Sequence, residues 1–254
     1  MRPRWPERLW LVRHGQSSGN LARDKASAAR VGRIDIGQRD ADVPLSELGG
    51  EQGRALGAFF AGMPPRERPA VLLTSPYARA MRTAALIGEA GGLAPGSPPM
   101  ISDERLRERE FGILDRLTTT GIDEFHPEQA AARRTLGKFY YRPPGGESWC
   151  DVILRLRSAL DTLTLHYAGA RVLIVSHQVV VLCLRYLLEA LDEQQILAID
   201  REGDVANCGV TEYVFDRRMG PRGGLTLRRY NFVAPLKEAG APITAESDPK
   251  VAAR

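Results

Sequence analysis

The 254-residue sequence has three cysteines, no C-x-x-C pair, no H-E-x-x-H and no cluster of aspartates. Cys150, Cys183 and Cys208 are odd in number and fall in stretches that read as helix or strand. A disulfide framework and a zinc knuckle are thereby excluded, and buried reduced thiols are expected. With no metal-ligand pattern in the sequence, neither a metal nor a cofactor is implied. Apolar runs are short: the one nearest the N-terminus, residues 9–12, is less than a signal-peptide core and far less than a membrane span. Together with the thiols this predicts a cytoplasmic chain with no membrane partner. No lysine- and arginine-rich run is interleaved with aromatics, so the formal charge of +4 does not read as nucleic-acid binding. A small anionic ligand accounts for the excess of cations equally well. There is no internal repeat, which excludes a solenoid.

What is present is an ordinary globular composition, 43% hydrophobic, sufficient for a sizeable core in one domain. Apolar runs at residues 9–13, 71–75 and 172–176 suit buried strands, and a segment of helical period follows each. After Ser46, the residues Leu48, Ala55, Leu56, Phe59 and Phe60 mark an amphipathic helix. Ser75 and Pro76 predict an N-cap and first-turn proline for the next one, and Ser148 caps a third. The helix after His177 is apolar nearly all round and is therefore expected to be buried. Two late strands, residues 209–216 and 225–231, flank a glycine-rich hairpin turn. The alternation reads as α/β. Residues 1–8 form a short basic extension, residues 9–233 one domain, and residues 234–254 a flexible tail of low periodicity. Residues 91–99 read as a surface connection, and the long polar stretches 22–44 and 108–147 as lids or substrate-facing insertions.

Three predicted strands carry polar residues at their carboxyl ends. Arg13 and His14 end the first; Ser75 ends the second, with Arg79 in the following helical turn; Ser176 and His177 end the third. In open α/β sheets that edge binds ligands. Two of the four histidines and two arginines thus converge on one crevice, where helix N-termini add partial positive charge. Taken singly, a strand-end histidine is most often structural, and Glu108 lies in a charge-rich run that reads as an exposed face. Convergence is what points to phosphate. In LVRHGQSSGN, residues 11–20, a histidine can attack phosphorus, an arginine can fork onto phosphoryl oxygens and the amides of a glycine turn can cradle an anion. His126 and His166 lack such partners and keep the structural reading.

LVRHGQSSGN is followed, in order, by SPYARAMRTA at 75–84, LREREFG at 106–112 and IVSHQ at 174–178. This set resembles the histidine phosphatase superfamily, which includes the cofactor-dependent phosphoglycerate mutases. The resemblance runs from about residue 9 to residue 232. It implies a phosphoglycerate mutase-like, three-layer α/β/α sandwich around a mostly parallel sheet. It also implies that His14 is the nucleophile that becomes phosphorylated, that Arg13, Arg79 and His177 surround the transferring phosphoryl group, and that Glu108 is the proton donor. Asn20 and Ser17 match a turn that also touches phosphate. Two arginines, a histidine and backbone amides neutralise phosphoryl oxygens as a metal does elsewhere.

FYYRPPGGES at 139–148 and SHQVVVLCLRYLL at 176–188 look like the phosphatase domain of the bifunctional fructose-2,6-bisphosphate enzymes. In that branch Lys138 and Arg142 match residues that hold the sugar phosphate. Gln178, also a substrate-binding candidate, stands where mutases usually have glycine. Trp149 in place of a tyrosine, and the lack of a kinase half, are departures from the branch. The implied function is a phosphatase for phosphomonoesters of small metabolites, a sugar phosphate or similar, working as monomer or homodimer. The alternatives are a cofactor-dependent phosphoglycerate mutase and, from another class, a non-catalytic module that binds a phosphorylated ligand.

Overall fold

Period-two alternation in the central strands divides the core between two faces of one sheet. In β1 (Arg8–Arg13), Leu9 and Leu11 enter one apolar cluster while Trp10 and Val12 enter another. The computed structural model of the chain describes residues 4–92 and 100–245. In chain order the further elements are α1 (Ser18–Ala28), α2 (Glu47–Ala61), β2 (Val71–Thr74), α3 (Ala78–Ala90) and β3 (Met100–Ser102). Next come α4 (Thr119–Phe125), α5 (Pro127–Tyr140), α6 (Trp149–His166), β4 (Arg171–Ser176) and α7 (Gln178–Leu188). The last are α8 (Glu193–Glu202), β5 (Val210–Asp216), β6 (Gly224–Phe232) and α9 (Ala234–Glu238).

The sheet runs β3-β2-β4-β1-β5-β6, parallel from β3 to β1 and antiparallel at β5 and β6. Leu73, Val172 and Ile174 pack with Leu9 and Leu11 against Val152, Leu156 and Leu163 of α6 and Val180 and Leu184 of α7. The opposite face packs Leu72, Leu173 and Val175 against Leu56 and Phe60 of α2 and Ala84 and Ile87 of α3. The result is a three-layer α/β/α sandwich around a mostly parallel sheet. Because α7 lies among other elements, its residues from Gln178 to Arg185 are all buried, as the apolar circumference requires. Ser148 caps α6 through a reciprocal capping box with Asp151.

Several expectations need correction. Ser75 does not cap α3: Tyr77 occupies the N-cap position, and the Ser75 hydroxyl turns instead toward His177. The short strand β3 was not predicted, having only three residues, all exposed. The polar stretch 108–147 contains α4 and α5, the latter kinked at Gly137, whose φ of +79° is readily open to glycine. Cys208 lies in a turn, although it is buried as expected. The N-terminal extension already joins the fold, since Arg8 begins β1 and the Trp5 carbonyl accepts from Gly169 N. The flexible tail is contradicted over residues 234–245. Leu236 of α9 is fully buried against the α2 face, and Gln52 Nε2 donates to Pro242 O and Thr244 Oγ1. Burial of Pro235 and Leu236, with bonds from Gln52 and from Asn207 N to residues 242–244, suffices to fix a stretch without periodicity. Residues 93–99 of the surface connection and 246–254 of the tail lie outside the described residues.

Candidate active site

β1 and β4 are adjacent and parallel, paired from Arg8 with Arg171 to Arg13 with Ser176. The ladder continues one step further, His14 N donating to Ser176 O at 2.9 Å. Each strand therefore delivers a histidine at the same level, and the His14 and His177 rings sit 5.1 Å apart. β2, on the far side of β4, brings Ser75 to the same edge, with Ser75 N donating to Val175 O. Arg79, the second residue of α3, is placed so that its Nε donates to His14 Nε2 at 3.2 Å.

The turn after β1 is built for close approach. A Cβ on Gly15 would lie 2.4 Å from Gly49 O, and one on Gly49 would lie 2.0 Å from Gln16 O. Only glycine at both positions lets this turn touch the start of α2. Gly15 N donates to Thr83 Oγ1, and Gln16 N to Gln52 Oε1. Behind it, Asn207 Nδ2 donates to His14 O, while Thr244 Oγ1 donates to Asn207 Oδ1. The stretch expected to be a tail thus braces the back of the histidine turn. Ser17 caps α1, its hydroxyl accepting from Asn20 N and donating to Asn20 Oδ1.

The proton on His14 is set by its neighbours. Gly15 O, 2.7 Å from Nδ1, can only accept, and Arg79 Nε can only donate. Nδ1 therefore carries the hydrogen and Nε2 the lone pair. Burial above all, then the Arg79 and Arg13 guanidiniums, hold this imidazole well below its ordinary range, against the opposing pull of Gly15 O. His177 is likewise held well below, by burial first and then by Arg79, His14, Arg13 and Arg155. Both rings are neutral near pH 7.

One pocket is lined by Arg13, His14, Ser17, Asn20, Arg79 and Glu108. His177 is fully buried behind His14, its ring 5.1 Å away, and does not itself line the pocket. Glu108 follows a short 3-10 turn, Glu104–Leu106; its Oε1 accepts from Arg109 N at 2.8 Å and its Oε2 lies 3.8 Å from His177 Nδ1. Arg155 from α6 donates to Glu108 O and to Glu147, and the Glu147 carboxylate accepts from Arg107 and from Glu110 N. This clamp fixes the loop that carries Glu108. Gln178 is buried beside the pocket rather than lining it. Its Oε1 accepts from Arg13 Nη1, and its Nε2 donates to Asp204, so it holds the arginine in place.

Lys138 and Arg142 are not brought to the pocket. Lys138 pairs with Asp200 at 2.7 Å and lies over the Trp149 ring, and the exposed Arg142 is forked onto Asp151. The kink at Gly137 and the Ser148–Asp151 cap direct these cations to local carboxylates. The structure instead supplies residues the sequence did not mark. Asp40, from the 22–44 stretch, accepts from Arg79 through its side chain and its carbonyl. Arg23, Phe111, Asp115 and Arg116 also line the pocket. Nothing in periodicity or spacing distinguishes them from an ordinary polar loop. Among the described residues, no three His, Cys, Asp or Glu side chains are grouped to hold a metal ion, and no helix is long and apolar enough to cross a membrane.

The family described as histidine phosphatase superfamily (branch 1) matches residues 9–221. The chain belongs to that superfamily. Among curated superfamily relatives, Bifunctional protein Rv2228c of Mycobacterium tuberculosis is 32% identical over 211 residues, 83% of this chain and 51% of that protein. The chain thus spans about half the length of that relative. Probable phosphoglycerate mutase GpmB of Yersinia pestis is 32% identical over 178 residues, 69% of this chain and 72% of the relative. Among solved structures, a mycobacterial glucosyl-3-phosphoglycerate phosphatase in complex with inorganic phosphate aligns with a TM-score of 0.66 at 27% identity, covering 90% of this chain and 99% of the other. Bacillus stearothermophilus YhfR aligns with a TM-score of 0.70 at 27% identity, covering 90% and 98%.

Proposed function

We propose that the chain is a metal-independent phosphatase that hydrolyses phosphomonoesters of small metabolites through a phosphohistidine on His14. The observation that carries this reading is the His14 tautomer: Gly15 O at Nδ1 and Arg79 Nε at Nε2 leave the lone pair on Nε2, which is freed for attack when Arg79 turns to a phosphoryl oxygen. Family membership and the phosphatase among the structural neighbours support it.

In the first step His14 Nε2 bonds to phosphorus as the ester P–O bond breaks, and Glu108 gives its proton to the departing oxygen. The charge that develops on the imidazole ring is met by Gly15 O at Nδ1–H. Arg13 and Arg79 take phosphoryl oxygens, in competition with the Asp40 carboxylate that Arg79 contacts in this structure. In the second step Glu108 accepts a proton from water, the water oxygen bonds to phosphorus, and the P–N bond breaks to return a neutral imidazole and inorganic phosphate. No step calls for a metal.

A mutase reading draws on the relatives named probable phosphoglycerate mutase. Against it stands Gln178, which fills the position after the second histidine and is committed to Arg13. The sugar-bisphosphate branch loses support from Lys138 and Arg142, which are held elsewhere. A phosphate-release assay on a panel of aryl and metabolite phosphomonoesters tests the proposal. Turnover that disappears in His14→Ala is expected. Release from no substrate overturns it, and isomerisation of phosphoglycerate with a bisphosphoglycerate primer, without net phosphate, favours the mutase.

A further inference from the structure

His177 Nε2 lies 2.8 Å from Ser75 Oγ, while its Nδ1 is buried, has no hydrogen-bond partner and faces Glu108 Oε2 at 3.8 Å. The Ser75 hydroxyl accepts the Tyr77 N–H at 3.2 Å. It has one hydrogen of its own, and His177 Nε2 is the only acceptor within reach of it among the described residues. Two arrangements of a neutral ring are open. With the proton on Nε2, Ser75 Oγ would accept twice, its own hydrogen would be stranded, and the Nδ1 lone pair would face a carboxylate. With the proton on Nδ1, donors and acceptors run in one direction, from Tyr77 N–H to Ser75 O–H to His177 Nε2, and the N–H at the other side of the ring points toward Glu108. A buried site favours the second arrangement, which pairs the serine hydrogen and turns the remaining N–H, rather than a lone pair, toward the Glu108 carboxylate at 3.8 Å.

We propose that Ser75 is a positioning residue that fixes the His177 proton on Nδ1, so that this histidine meets the reacting group as an N–H donor. Its consequence for catalysis rests on the phosphatase reading above. The Nδ1–H serves an equatorial phosphoryl oxygen while Glu108 is protonated, and serves the Glu108 carboxylate once that proton has left. A donor placed in advance strengthens as charge develops on those oxygens. Burial and the nearby arginines keep the ring neutral near pH 7, so only one of its nitrogens holds hydrogen.

The test is the 15N spectrum of the histidine rings in the intact protein near pH 7, with His177→Gln used to assign the His177 signals. We expect a protonated, pyrrole-like Nδ1 and a pyridine-like Nε2. The reverse pattern in the wild-type protein overturns the proposal, and this readout needs no variant of Ser75 to fold. Ser75→Ala should shift the ring toward the other tautomer and lower kcat by about tenfold to a hundredfold with little change in KM. Ser75→Cys, a weaker donor, should fall between. A Ser75→Ala protein that keeps the wild-type ring pattern also overturns the proposal. A wild-type protein that hydrolyses nothing, yet shows a protonated Nδ1, would remove the phosphatase reading and leave the tautomer assignment standing.

Discussion

The ends of β1 and β4 lie side by side and deliver the same residue type in the same neutral state, yet present opposite chemistry. His14 is held at Nδ1 by a carbonyl and keeps its lone pair on Nε2, where Arg79 Nε donates to it. His177, in the tautomer proposed above, is held at Nε2 by a hydroxyl and turns an N–H toward Glu108. In the proposed mechanism the residue behind each ring decides which histidine attacks and which donates: an obligate acceptor at one strand end, a hydroxyl with one hydrogen to give at the other. On that proposal, identical side chains at paired strand ends divide the labour of phosphoryl transfer through where each keeps its proton.

Exchanging either ring for an amide breaks the comparison most sharply. His14→Asn should abolish the phosphoenzyme and lower kcat by about 10⁵-fold or more, as loss of a nucleophile does. His177→Asn should cost about 10²–10³-fold, the loss of one donor to the transition state, with phosphohistidine still trappable. Equal losses, measured by rapid-quench trapping and steady-state rates, would erase the distinction. Next in size is Glu108→Gln. It should slow alkyl phosphates by about 10²–10⁴-fold and aryl phosphates, with their better leaving groups, far less. An equal loss for both classes would remove Glu108 as the acid.

Most of this edge was legible in the sequence because strand-end position is a backbone property. Apolar runs mark β1, β2 and β4, and their carboxyl ends carry Arg13, His14, Ser75, Ser176 and His177, with Arg79 in the helical turn after β2. Glu108 came from resemblance, since its run of charges reads as surface. Asp40 and the Arg155–Glu147 clamp were not legible, because the pairing of long polar side chains depends on which loops the fold brings together. Lys138 and Arg142 failed for the same reason: their charges are met locally by Asp200 and Asp151. The last described residues, up to 245, read as a tail by composition, yet buried Pro235 and Leu236 and the bonds to Pro242 and Thr244 anchor them.

Smaller effects separate the pair by pH. Both imidazoles are held well below the unfolded value of about 6.5. Between the folded value and about 6.5 the unfolded chain binds more protons than the folded one, so stability falls as pH drops through that window. Each ring contributes a slope of up to about 1.4 kcal/mol per pH unit. Urea midpoints from pH 7.5 to 5 should show this loss, and His14→Asn and His177→Asn should each flatten it in part. A flat wild-type profile would mean that neither ring is kept neutral. Smallest of all, Lys138→Ala and Arg142→Ala should leave KM for sugar phosphates within about twofold, since both cations serve peripheral ion pairs.

The most direct test of the division of labour is to quench the enzyme during turnover and locate the phosphoryl group by 31P NMR and peptide mapping. The account predicts an acid-labile phosphohistidine on Nε2 of His14 and none on His177. Phosphate on His177, phosphate on Nδ1 of His14, or steady hydrolysis with no trapped phosphohistidine would contradict it.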